Sequence, residues 1–145
     1  MDVETCRDDA GSLTFAVRRV WLHMRAAIGA ELEEFGLSTS QYATLIMTAA
    51  QPGMSVAEIA REVASTRQSA NEMLAGLESA GLVERSPNPA DRRTHRIQVT
   101  DAGQQLLDTA RIAVARREEM LEAGFTPEQR STVRSWLLGV SDACH

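Results

Sequence analysis

Residues 66–72 read Thr-Arg-Gln-Ser-Ala-Asn-Glu, and residues 91–96 read Asp-Arg-Arg-Thr-His-Arg. Both runs are dense in groups that make directional hydrogen bonds. In the first, Arg67, Gln68, Asn71 and Glu72 are spaced so that a helix would carry them on one face, with Thr66 and Ser69 at its edge. An arginine fork matches the acceptors of guanine, an asparagine or glutamine amide matches adenine, and a glutamate accepts from cytosine. In the second run, Arg92, Arg93, His95 and Arg96 supply cations behind Asp91. An arginine at a small tip suits a narrow minor groove, where negative potential is concentrated. This is chemistry for recognising double-stranded DNA. The plainer alternative is a solvated helix face followed by solvated arginines.

Nothing suited to bond-breaking accompanies them. The sequence has no nucleophile paired with a base, no phosphate-binding glycine loop and no metal-ligand spacing. His23, His95 and His145 are scattered, and Cys144-His145 is a bare pair at a chain end. The expectation is no enzyme, no cofactor and no metal. Cys6 and Cys144 stand at opposite ends, neither a disulfide framework nor a redox pair, so a reducing cytoplasm is the default location.

The two runs need a scaffold. Ala70, Met73, Leu74 and Leu77 recur at helical spacing, Thr66 caps the start and Gly81 stops the helix. Two short strands follow, joined by a loop holding two prolines and the adjacent Arg92 and Arg93. Upstream, Ser55 and Glu58 have capping-box spacing ahead of Val56, Ile59, Ala60 and Val63, a short helix separated from the next by Ala64-Ser65. Two short helices joined so tightly form a helix-turn-helix. Ser38 and Gln41 repeat the capping-box spacing before Tyr42, Leu45, Ile46 and Ala49, and Pro52-Gly53 is a turn. Residues 38–99 therefore read as a winged helix-turn-helix.

Long amphipathic helices bracket this head. Leu13, Ala16, Val17, Val20, Met24, Ile28 and Leu32 stripe one that runs to Phe35 and is ended by Gly36. Thr100 caps another, striped by Leu106, Ala110, Ala113, Val114, the stem of Arg117 and Leu121 and ending near Gly124. Thr126, Pro127 and Gln129 start a last helix striped by Val133, Trp136, Leu137 and Val140. Residues 12–35 and 100–142 carry more apolar surface than the head can cover, so a second copy of the chain is expected to cover it. The expected fold class is mainly α with a small β-hairpin wing, one domain over 1–145, its head flanked by N- and C-terminal dimerisation helices. Residues 1–11 read as a loose acidic leader. The longest apolar run, Tyr42–Ala50, is far short of the ~20 residues of a spanning helix, so no membrane partner is expected.

The formal net charge of -5 opposes nucleic acid as a partner, but its distribution does not. Four arginines, His95 and a single acid lie between Arg85 and Arg96, while the acids gather in 1–10, 31–34 and 118–122. All fifteen basic residues are arginine, so every basic site is a planar, multi-donor group.

From Leu37 to Gly103 the chain resembles the MarR family of transcriptional regulators. The resemblance rests on LSTSQYATL, SVAEIAREV, LESAGLVER and DRRTHRIQVTDAG, in order and with the right gaps. In the last segment Asp91, Arg93, Thr100 and Gly103 fall at the family spacing D-x-R-x6-T-x2-G. The resemblance implies a homodimer with interlocked first, fifth and sixth helices and a ligand-responsive repressor of double-stranded promoter DNA. It implies base reading by Arg67, Gln68, Ser69 and Asn71, and entry of Arg93 into the minor groove, held by Asp91, with Arg92, His95 and Arg96 nearer phosphates. Glu72 departs from the pattern, in which a basic residue is common there. Relatives that sense peroxide carry a cysteine in the first helix; here Leu13-Thr14-Phe15-Ala16-Val17 has threonine, which argues against that branch. Trp21, His23, Met24 and Tyr42 are the candidate lining of a crevice for a small aromatic or anionic effector; the plainer alternative is core with a surface histidine. The rival reading from another class is a winged-helix protein-interaction module, or a binder of small hydrophobic ligands, that does not read DNA.

Overall fold

A computed structural model describes residues 11–63 and 65–145; the acidic leader apart from Gly11, and with it Cys6, lies outside the described residues. Helix α1 (Leu13–Leu32) is capped by Ser12 and continues into a 3-10 turn at Glu33–Phe35. Gly36 ends that turn at φ 66, a left-handed conformation that a residue with a side chain avoids. Helices α2 (Thr39–Ala50) and α3 (Val56–Glu62) both start with a reciprocal capping box, Ser38 with Gln41 and Ser55 with Glu58. The Ser55 N–H donates to the Glu58 carboxylate at 2.8 Å, and that bond holds the Glu58 pKa below its ordinary value. Helix α4 (Arg67–Ser79) is capped by the Thr66 hydroxyl, which accepts from the Ser69 N–H at 3.1 Å. Helices α5 (Asp101–Leu121) and α6 (Pro127–Ala143) follow the hairpin, and Thr126 and Gln129 form the capping box of α6.

Strands β1 (Met54–Ser55), β2 (Val83–Asn88) and β3 (Asp91–Val99) make an antiparallel sheet in the order β1-β3-β2. Strand β1 was not expected. It pairs Met54 with Ile97 and Ser55 with Arg96, and two residues are too few to show a period of two. The hairpin also departs from expectation. The strands absorb Pro87, Asn88 and Asp91–Thr94, so Arg92 and Arg93 lie on β3 instead of in a loop, and only Pro89-Ala90 connects the strands. Local side-chain bonds make this short connection workable. The Asn88 carboxamide oxygen accepts the Ala90 N–H at 3.0 Å, and the Asp91 carboxylate accepts the Arg93 N–H at 3.0 Å. Near the tip the pairing shifts register between Pro87 and Asn88. Val63 is the C-cap of α3, outside the helix where the sequence placed it.

The core lies between the end of α1, α2, α3, α4, the sheet and the middle of α5. Leu32, Leu45, Ile59, Leu74, Leu77, Ile97 and Leu107 are closed to solvent there. On α5 the fully buried leucine is Leu107, while Leu106, assigned to the stripe from sequence, is only partly buried. Thr44 and Thr48 are buried as well. Their hydroxyls donate to the carbonyls of Ser40 at 2.8 Å and Thr44 at 2.7 Å, so neither carries an unmet polar group inside.

The root of the hairpin is the tightest junction. The Thr100 hydroxyl donates to the Gly81 carbonyl at 2.6 Å and accepts the Gly103 N–H at 3.1 Å, while the Thr100 N–H donates to the Leu82 carbonyl at 3.1 Å. A Cβ on Gly103 would overlap the Leu82 carbonyl oxygen and press on Val99. This gives the T-x2-G spacing a physical cause. Gly103→Ala should therefore lower stability by about 1–3 kcal/mol, the usual cost of overpacking, and Thr100→Val by about 1–2 kcal/mol through the lost cap and bridge. Urea unfolding at one fixed protein concentration checks both, and a midpoint unchanged by Gly103→Ala would contradict the packing described.

Candidate nucleic-acid interface

The helix-turn-helix is α3, the connection Val63–Thr66, and α4. Ala70, Leu74 and Leu77 turn one side of α4 into the core, which fixes the opposite side outward. Thr66, Arg67, Gln68, Ser69 and Glu72 are exposed, and Asn71 is half-buried. These side chains are not equally free. The Thr66 hydroxyl donates to Ser69 Oγ at 3.0 Å, so both hydroxyls take part in the helix cap. Gln68 donates to Glu72 at 3.4 Å, one turn along. Asn71 donates to the Arg67 carbonyl at 3.0 Å and accepts from Arg85 Nη1 at 3.2 Å. Arg67 is the cation at the start of the exposed face, beside the positive end of the helix dipole.

On the wing, Asp91, Arg92, Arg93, His95 and Arg96 are all exposed. Asp91 holds Arg93 through the backbone N–H, and the Thr94 hydroxyl donates to the Asp91 carbonyl at 3.1 Å. The turn is thus set by hydrogen bonds to the main chain, and the Arg93 guanidinium extends from a fixed base. Arg92 and Arg93 sit beside the tip. Arg96 belongs elsewhere: it pairs with Ser55 of β1 and borders a polar recess with Gly53, Glu58, Asn88, Asp91 and Thr94 at the foot of α3. The sequence runs therefore form two clusters, one on α4 and one at the wing, with Arg96 between the wing and α3.

Arg85, counted from sequence only among the basic residues of 85–96, was missed as a partner of α4. It lies on β2 opposite Ile97, on the face turned toward the core, and its three guanidinium nitrogens all contact α4. The available signal was its alternation with Val83, which puts an arginine where an apolar residue is usual.

The four candidate effector residues divide between α1 and α2. Trp21 and Met24 share one side of α1, while Trp21 and His23 lie about 160° apart, since each residue turns an α-helix by about 100°. Trp21, His23 and Met24 are exposed, while Tyr42 is partly buried on α2, where burial pushes its pKa up, the Arg111 charge opposes the rise and Glu118 adds to it. The open recess beside α1 is formed instead by Leu22, Arg25, Ala26, Gly29, Ala30 and Glu33 against Leu37, Ser38 and Thr39, with Arg25 Nε donating to Thr39 at 3.3 Å. Among the described residues no cluster of His, Cys, Asp or Glu could hold a metal ion, and no helix is long and apolar enough to cross a membrane.

The sequence pattern of the MarR family matches residues 35–94. The HTH-type transcriptional repressor Rv2887 of Mycobacterium tuberculosis is 33% identical over 128 residues, covering 88% of this chain and 91% of that protein. Among solved structures, the transcriptional repressor CouR bound to a 23-mer DNA duplex aligns with a TM-score of 0.82 at 29% identity, covering 91% of this chain and 94% of its own. The apo form of wild-type MarR from E. coli aligns with a TM-score of 0.81 at 20% identity, covering 89% and 96%.

The wing has a direct test. Arg93→Ala should weaken binding most on duplexes with A·T-rich flanks and make the dependence of affinity on salt shallower by roughly one counterion. Fluorescence anisotropy across a salt series reads both, and equal affinities for wild type and variant on all flanks would remove Arg93 from the interface.

Proposed function

This chain belongs to the MarR family of DNA-binding transcriptional regulators, and we propose that it works as a homodimeric repressor of pseudo-palindromic promoter DNA, released by a small aromatic or anionic effector. The observation that carries the reading is a helix-turn-helix whose outward helix is hydrogen-bonded to an arginine-tipped wing. Arg67 and Gln68 on α4 suit base edges in the major groove, and Arg93 on the wing suits the adjacent minor groove. Two relatives support this: the Mycobacterium tuberculosis protein is named a repressor, and CouR is seen on a DNA duplex. The work is binding, without a catalytic step, and it takes place in the cytoplasm.

The case for a homodimer rests on apolar surface. Val20 is 55% exposed, Trp21 58%, Val133 54% and Leu137 49%, so the outer sides of α1 and α6 are uncovered in a single chain. Monomers rarely expose apolar patches this continuous. Helices 12–35 and 100–142 of two chains would bury them across a two-fold axis, which also sets two heads for two half-sites. The Arg134 fork on Glu122 fixes the turn from α5 into α6 and so the direction of the last helix.

For the effector, the recess between α1 and the start of α2 is a candidate site beside the residues expected from sequence. It joins an apolar floor to the Arg25 cation and the Glu33 carboxylate, where an assembly helix meets the head. A ligand shifts DNA affinity only as far as it distinguishes the competent from the incompetent spacing of the heads; a tenfold effect needs about 1.4 kcal/mol.

Light scattering should give twice the chain mass at micromolar concentration, and a chain cut after Gly124 should lose that assembly; a monomeric full chain would refute the architecture. Selection from random duplexes should enrich two half-sites about 10 base pairs apart. In calorimetry, an aromatic carboxylate that weakens the selected duplex should itself bind more weakly by the same factor when the duplex is present. No coupling for any such acid sinks the effector reading, and no enriched duplex sinks the regulator reading.

A further inference from the structure

From the contacts of Arg85 we infer that this residue, with Asn71 and Glu78, is a brace that fixes the angle between α4 and the wing, and that Asn71 positions the reading helix instead of reading a base. The inference rests on the DNA-binding reading above. Arg85 Nε donates to the Glu78 carboxylate at 2.8 Å, Nη1 to Asn71 Oδ1 at 3.2 Å and Nη2 to the Asn71 carbonyl at 3.3 Å. Each nitrogen of the fork thus has an acceptor on α4. The side chain is 22% exposed, against 46% for Glu78, so the cation is largely enclosed beneath the outward face.

Three features make this a brace and not a DNA contact. First, the fork is occupied. A phosphate or guanine contact would have to displace bonds that a partly enclosed guanidinium needs, since an enclosed charge without partners is costly. Second, the acceptors lie two turns apart along α4, at Asn71 and Glu78, so a planar, rigid group spanning them resists rotation and tilt of the helix. Third, Arg85 sits on β2, which continues directly to the tip that carries Arg92 and Arg93. Its stem lies opposite Ile97, which is closed to solvent, so the strand end of the brace is anchored in the core. The Asn71 amide completes the link by donating to the Arg67 carbonyl at 3.0 Å, one turn toward the start of α4. The base-facing start of the helix and the minor-groove tip are therefore tied through one side chain that touches neither groove.

The test uses the full chain and the duplex that the wild type itself enriches from a random library, with a random duplex of equal length as reference. Arg85→Met keeps the stem and removes the fork. The ratio of affinities for selected and random duplex should fall at least tenfold, while the salt dependence stays as in the wild type, because no phosphate contact is lost. Asn71→Ala leaves the Glu78 pair in place and tests the brace even where Arg85→Met folds poorly. Against every single-base substitution of the selected duplex, its loss should be spread over the half-site. The double variant should lose no more than Arg85→Met alone, as expected for one unit. Three results would overturn the brace: a loss for Asn71→Ala confined to one base pair, a salt dependence shallower by about one counterion for Arg85→Met, or an equal loss on both duplexes. A wild type that enriches no duplex would overturn the regulator reading, and the brace with it.

Discussion

The hairpin leaves and re-enters the head at a single pinch, and the placement of everything downstream depends on it. Thr100 bonds the carbonyls of Gly81 and Leu82 with its side chain and main chain, and it receives the first turn of α5 through Gly103. Four elements are tied in this way: the end of α4, both strands of the wing and the start of α5. The pinch works because Gly103 has no Cβ, which lets a helix backbone lie against the Leu82 carbonyl. A head that reads DNA is thereby joined to a helix that runs on toward the uncovered apolar surface.

A chain with a net charge of -5 must also present a surface acceptable to phosphates. It does so by separation. The acids of 118–122 lie at the far end of α5, while the wing and the start of α4 gather arginine. Exposed charges more than a Debye length apart, about 8 Å at physiological salt, scarcely affect one another, so the acids at the far end of α5 do not cancel the basic tip.

Much of this was legible in the sequence because it is local. Ser38–Gln41, Ser55–Glu58 and Thr126–Gln129 cap their helices as their spacing says, since a cap needs only a side chain and a main-chain group three residues away. What was missed depends on partners distant in sequence. Strand β1 exists because Ile97 offers an edge to Met54. Thr44 and Thr48 look polar in a list of residue types, yet their hydroxyls bond back into their own helix and leave methyl groups for the core. Arg85 counts only as one of four arginines in a basic run until the fold places α4 beside its strand. The outward polar face of α4 was recognisable from residue types alone, but the bonding within it was not: Asn71 is bonded to Arg85, and Arg67 carries no such bond among the described residues. The candidate effector residues show the same limit, since proximity in sequence on one helix places Trp21 and His23 on different sides.

The order β1-β3-β2 leaves β2 as an edge, with main-chain donors and acceptors open on one side. Such an edge is a template on which another strand can grow, and this one lies on a projecting arm of the molecule. Pro87 lies within β2 and Pro89 at the turn, and neither has an N–H to offer. The arm therefore carries its own terminator. A strand approaching from outside meets a gap in the ladder near the tip, so the exposed ribbon resists extension by a further strand.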